Sequence, residues 1–168
     1  MKKLLYLLFF SVSFVVCSAC SEDDVKNPII GDWKLTAWTI DIPFDLNKDS
    51  EFSTNLLDET NCEVNESLSF DKNGIVTSND TFSPQIKVSL EDGTSDAYVI
   101  TERCAEGTIG FATDYTQIND QSVRFNEVIA LMTGTTLTVV YQNAIAVYNE
   151  AQTEVVDTKD LTLIYDRK

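Results

Sequence analysis

The chain has no histidine, and it carries only twelve basic residues against 27 acidic ones. After its first twenty positions it also lacks any apolar run long enough to span a bilayer, which takes about 20 residues. Each shortage excludes something. Without imidazole, no side chain has an ordinary pKa that makes it a proton shuttle near neutrality. Ser–His and Cys–His nucleophile pairs cannot be assembled either. Carboxylate pairs can do acid–base work, as in glycosidases, but 27 acidic residues guarantee chance pairs and none sits in a motif. There is no phosphate-cradling loop and no dinucleotide fingerprint. These absences point away from an enzyme. The deficit of basic residues disfavours nucleic acid and anionic lipid as partners and is compatible with cations.

The positive signals begin at the N-terminus. Lys2 and Lys3 precede Leu4 to Val16, apolar apart from Ser11 and Ser13, and then Cys17-Ser18-Ala19-Cys20. A charged start, a short apolar core and small residues before a cleavage point describe a signal peptide over residues 1–19. Ser18-Ala19-Cys20 resembles the lipobox of bacterial lipoproteins, with Cys17 where leucine is usual. The expectation is cleavage before Cys20, acylation of that cysteine, and a tether over residues 20–29. Each buried CH₂ contributes about 0.8 kcal/mol, so several acyl chains hold a protein firmly to a membrane. The acidic run Ser21-Glu22-Asp23-Asp24 resembles the export signal of lipoproteins of the Bacteroidota. It implies an outer-membrane, lipid-anchored location exposed at the cell surface. Removing Lys2 and Lys3 with the signal leaves ten basic against 27 acidic residues, a net charge of −17 on the mature chain.

Cys62 and Cys104 remain outside the signal region. An exported chain with one residual pair most often forms a disulfide. A metal pair is the alternative, but neither histidine nor a third cysteine is present to complete a site. The bridge would close a loop of roughly 40 residues and contribute about 3–4 kcal/mol.

From residue 30 to 168 the pattern is β, without a long helical period or an internal repeat. Gly31 to Ile40 alternates, with Trp33, Leu35 and Ala37 on one face; Trp38 falls on the other. Similar alternation recurs around Val64–Phe70, Ile86–Leu90, Ile109–Phe111, Val123–Phe125, Leu137–Tyr141 and Leu161–Tyr165. Turn signals lie between, at Asp71-Lys72-Asn73-Gly74, Glu91-Asp92-Gly93 and Thr133-Gly134. Short strands with these turns indicate an all-β, antiparallel sandwich or up-and-down barrel.

Residues 41–63 form a long polar insert. Within it Asp45, Asn47, Asp49 and Glu51 occupy positions 1, 3, 5 and 7 of an EF-hand-like loop, a spacing that lets oxygens converge on calcium. Ser50 replaces the expected glycine and Leu56 the final acidic residue, for which Asp58 or Glu59 could substitute. The alternative is a solvated acidic loop.

Gly31-Asp32-Trp33 resembles the Gly-x-Trp signature of lipocalins, and Thr113-Asp114-Tyr115 spells their second signature. The order of a lipidated start, Ile29 to Leu35, Cys62 to Gly74, Cys104, and a last strand from Leu161 to Lys168 is similar to the short lipocalin-like lipoproteins of the Bacteroidota. The resemblance implies a lipocalin-like barrel of about eight strands. It implies that Trp33 closes one end against Arg167, a cation–π contact of about 0.5–2 kcal/mol. It also implies a monomer binding a small apolar ligand or a surface partner. A calcium-stabilised adhesion module without a cavity is the competing expectation.

Overall fold

The computed structural model describes residues 27–43, 45–107 and 109–168. The expected signal segment and Cys20 lie outside the described residues. Among the described residues eleven strands and one short helix follow in order: β1 (Gly31–Thr39), α1 (Leu56–Glu59), β2 (Ser67–Phe70), β3 (Ile75–Ser78), β4 (Gln85–Leu90), β5 (Tyr98–Arg103), β6 (Phe111–Asp114), β7 (Thr116–Asn119), β8 (Ser122–Phe125), β9 (Val128–Thr133), β10 (Thr136–Tyr148) and β11 (Val155–Arg167). Among the described residues no helix is long and apolar enough to cross a membrane.

Hydrogen bonding orders the strands β6-β3-β2-β1-β11-β10-β9-β8-β7. The two strands at the ends of this path, β6 and β7, are separated in the chain by Tyr115 alone. The sheet is therefore nearly closed into a barrel, joined at that point by the covalent chain. Counting β6 and β7 as one bent strand gives a ring of eight, met in chain order and antiparallel around the path. Of the two all-β forms that the alternating segments allow, sandwich and up-and-down barrel, this is the barrel. The surplus over eight strands is the split at Tyr115 and an inserted hairpin, β4–β5. That hairpin docks on the far half of β10, where Val147 pairs in parallel with Val88.

Tyr115 makes the seam. Its N–H donates to the Gly74 carbonyl at 2.7 Å and its hydroxyl to the Asp71 carbonyl at 2.6 Å, so the bend is pinned to the β2–β3 turn. The Asp71 carboxylate in turn accepts from the Ile75 and Asn73 N–H groups. The Ile75 bond is the main reason the Asp71 pKa is lowered.

β1 does not keep one face inward throughout. Its pairing with β11 slips between Leu35 and Ala37, leaving Thr36 as an extra residue. A β-bulge exchanges the two faces of everything beyond it. Trp33 and Leu35 point inward before the bulge; Trp38 and Ile40 point inward after it and are buried with them. The expectation that Trp38 lies opposite Trp33 is corrected for this reason. Beyond Lys34, β2 no longer pairs with β1, and the Asn55 side chain takes its place. Its carbonyl accepts from the Trp38 N–H at 3.0 Å and its amide donates to the Thr36 carbonyl at 3.2 Å. The same carbonyl accepts from Leu57 N–H and caps α1.

One core fills the ring, including Trp33, Leu35, Leu68, Phe70, Phe125, Leu137 and Tyr165. Phe70 stands edge-on to both Tyr115 and Phe125, with ring centroids 5.1 and 5.6 Å away. Ile29, assigned to the tether by sequence, is buried in this core, and its carbonyl accepts from the Trp33 indole N–H at 2.8 Å.

Candidate functional site

The two ends of the barrel differ. At one end Arg167 stacks over Trp33, its guanidinium carbon 5.3 Å from the ring centroid. The guanidinium also donates to the carbonyls of Pro28 and Ile30. Gly31 lies in this arch at φ +132°, and a Cβ there would come within 3.3 Å of Arg167 Nη2. The glycine is thus required by backbone conformation, and the close guanidinium leaves little room for a side chain. The pairing implied between Trp33 and Arg167 is present at this end.

The other end is open. Trp38, five residues further along β1, lines a cleft of about 250 Å³ with Leu68, Phe111, Phe125, Leu161 and Leu163. These side chains come from β1, β2, β6, β8 and β11, strands distributed around the ring, so the cleft is the mouth of the barrel interior. Thr81 and Phe82, from the segment joining β3 to β4, form one wall. On the far side of Phe82 a polar cleft of about 270 Å³ is lined by Asp80, Ser83, Pro84 and the two cysteines.

Besides Thr81, three polar residues line the barrel mouth: Glu66, Tyr141 and Tyr165. Glu66 is only 3% exposed. Its two carboxylate oxygens accept from the Tyr165 hydroxyl at 2.6 Å and the Phe82 N–H at 2.8 Å. Burial raises its pKa, the two hydrogen bonds oppose that rise, and nearby Asp80 adds to it. Burial and the Glu66 charge together push the Tyr165 and Tyr141 hydroxyls upward, so both remain protonated donors at neutral pH. The Tyr141 hydroxyl has no hydrogen-bond partner among the described residues, which leaves it free for a ligand.

Sequence reasoning passed over Glu66, although a signal was there. Glu66, Leu68 and Phe70 share one phase of β2 and its approach, and all three are buried. A carboxylate at an inward position of an alternating strand marks a polar group inside a barrel. Phe111 and Tyr141 are half-buried at the mouth, whereas Trp33, Leu35, Leu68, Phe70, Phe125 and Tyr165 fill the core.

Cys62 and Cys104 form the expected disulfide, with Cα atoms 5.4 Å apart. It ties the segment after α1 to the end of β5, and so anchors the β1–β2 loop to the inserted hairpin.

Within that loop, Asp45 and Asp49 approach each other as the spacing predicts, joined by Glu59 from the end of α1. One carboxylate oxygen of each lies within 4.8 Å of the others. Asn47 holds the turn, accepting from the Asp49 N–H and donating to its carboxylate, both at 3.0 Å. Glu51 is exposed, outside the carboxylate group, and gives its N–H to Asp49 at 2.8 Å. Asp58 is occupied by the Ser53 hydroxyl.

The chain matches no protein-family model, no curated protein and no solved structure.

Proposed function

We propose that this domain is a lipocalin-like carrier that binds a small, mostly apolar molecule in the open barrel mouth, held at a membrane by lipid on Cys20. The observation that carries the reading is the cleft itself: about 250 Å³, walled by Trp38, Leu68, Phe111, Phe125 and Leu161. Burying apolar ligand surface there contributes roughly 25 cal/mol per Å². The volume falls slightly below the ~300 Å³ at which pockets for drug-sized ligands begin. The occupant is therefore compact, or inserts only part of its length. Tyr141 offers one unused hydroxyl, which fits a ligand with a single hydrogen-bonding end. The reading is of binding, with the Tyr165 hydroxyl and the Glu66 carboxylate held to each other by their hydrogen bond.

The test is titration of the delipidated domain with the fluorophore N-phenyl-1-naphthylamine, alongside native mass spectrometry of protein gently extracted from its source. Saturable binding at one equivalent, with quenching of tryptophan emission, is the expected result. Ala144→Trp, at the exposed lip of the cleft, should abolish it while circular dichroism stays unchanged. If the probe does not bind and no molecule co-purifies, the barrel is not a carrier.

A further inference from the structure

We infer that Asp45, Asp49 and Glu59 form a binding site for a calcium ion, which clamps the first part of the β1–β2 loop onto helix α1 within the same loop. The inference is independent of what the barrel mouth binds.

It begins from charge without compensation. Three carboxylates place an oxygen each within 4.8 Å of one another, yet the sole ion pair among the described residues is Lys159–Asp157, elsewhere. Clustering like charges is unfavourable unless a cation joins them. Burial adds a second, separate observation. Glu59 is only 4% exposed, and its Oε2 is a buried oxygen with no hydrogen-bond partner; Asp45 Oδ1 is another. Leaving a buried carboxylate oxygen unsatisfied is costly, more so when it is charged. An ion coordinated by these oxygens removes the cost at both residues at once.

The donor set selects the ion. All three ligands are hard carboxylate oxygens without nitrogen or sulfur, which suits calcium or magnesium rather than zinc. Magnesium demands near-ideal octahedral geometry and seldom takes several protein carboxylates. Calcium accepts six to eight oxygens in looser geometry, completed by water and carbonyls. A site with three carboxylates in an exposed loop belongs to the weak class, with Kd on the order of 10⁻⁴–10⁻³ M. The ligand set also differs from the linear spacing Asp45-Asn47-Asp49-Glu51. The deciding carboxylate arrives from α1, four residues beyond the Asn55 cap, so the ion ties together two segments that otherwise meet through few polar contacts.

The experiment is isothermal titration and thermal melting of the mature chain, stripped with chelator, against calcium chloride and then magnesium chloride. The background is about 150 mM sodium chloride, to suppress diffuse binding to the acidic surface. One calcium per chain is expected, with magnesium at least tenfold weaker. Tm should rise by about 5–10 °C at a hundredfold excess over Kd. Glu59→Gln should lower calcium affinity at least tenfold and leave the chelated protein folded with an equal or higher Tm, because a buried charge has been removed. Asp58→Asn should change affinity less than twofold. Three results would overturn the assignment: no heat and no Tm shift up to about 10 mM calcium, equal losses in both variants, or stoichiometry well above one.

Discussion

Glu66 and Tyr165 lie 99 residues apart in the chain and share a 2.6 Å hydrogen bond inside the barrel. The bond fastens β11 to the segment leading into β2, across β1. It also leaves a carboxylate buried in a mostly apolar wall, whose pKa burial has raised.

That shift has a defined consequence for stability. In the unfolded chain Glu66 titrates near 4.5, and in the folded barrel it titrates higher. Between those values the folded state keeps a proton that the unfolded state has lost, so stability falls as pH rises through the window. Below the unfolded value this contribution is present in full; above the folded value it is gone. Glu66→Gln should abolish that segment of the pH dependence. Its carbonyl can accept from the Phe82 N–H while its amide donates to the Tyr165 hydroxyl, which can also accept. Urea midpoints of both proteins measured from about pH 4 to about pH 8 provide the check. Parallel curves would mean that Glu66 titrates normally.

Asn55→Ala should destabilise the domain by about 2 kcal/mol or more, because it removes a helix cap and two backbone partners at the bulge together. Asn55→Asp keeps both acceptor bonds and loses only the donor to the Thr36 carbonyl, so its loss should be smaller. Denaturant melts rank the three proteins. Equal stability of Asn55→Ala and the parent would show that water replaces the side chain at the bulge.

Arg167→Lys should cost nearly as much as Arg167→Ala, about 2 kcal/mol. An ammonium cannot reach two carbonyls through a planar fork or stack as well on Trp33. Thermal melting of the pair decides this. Full rescue by lysine would reduce the contact to simple charge.

The fold was legible in the sequence for most of the strands with one buried face, but β3 and β9 were missed although each has one. Alternation located β1 as far as Leu35, β2, β4, β8 and the inner halves of β10 and β11. It was silent on β5 and β7, where no residue is fully buried, and on the outer half of β11, where most residues are exposed. The bulge at Thr36 was invisible because no residue there departs from strand chemistry. Its partner on the other edge is Asn55, sixteen residues downstream of the end of β1, which bonds Trp38 and Thr36, and local pattern cannot report a distant partner. The Asp45–Asp49 spacing could be read directly. Glu59 joins them only because a four-residue helix turns it inward.

The pairing of β1 with β11 has a consequence in time. One edge of β1 finds β2 soon after both are made, but the other stays bare until the final strand exists, and so does the face of Trp33 that Arg167 covers. Contacts this remote in sequence are late and slow to form, and a bare strand edge is a template for self-association. The molecule therefore cannot finish folding as it is synthesised: the whole chain must be present before the ring can shut.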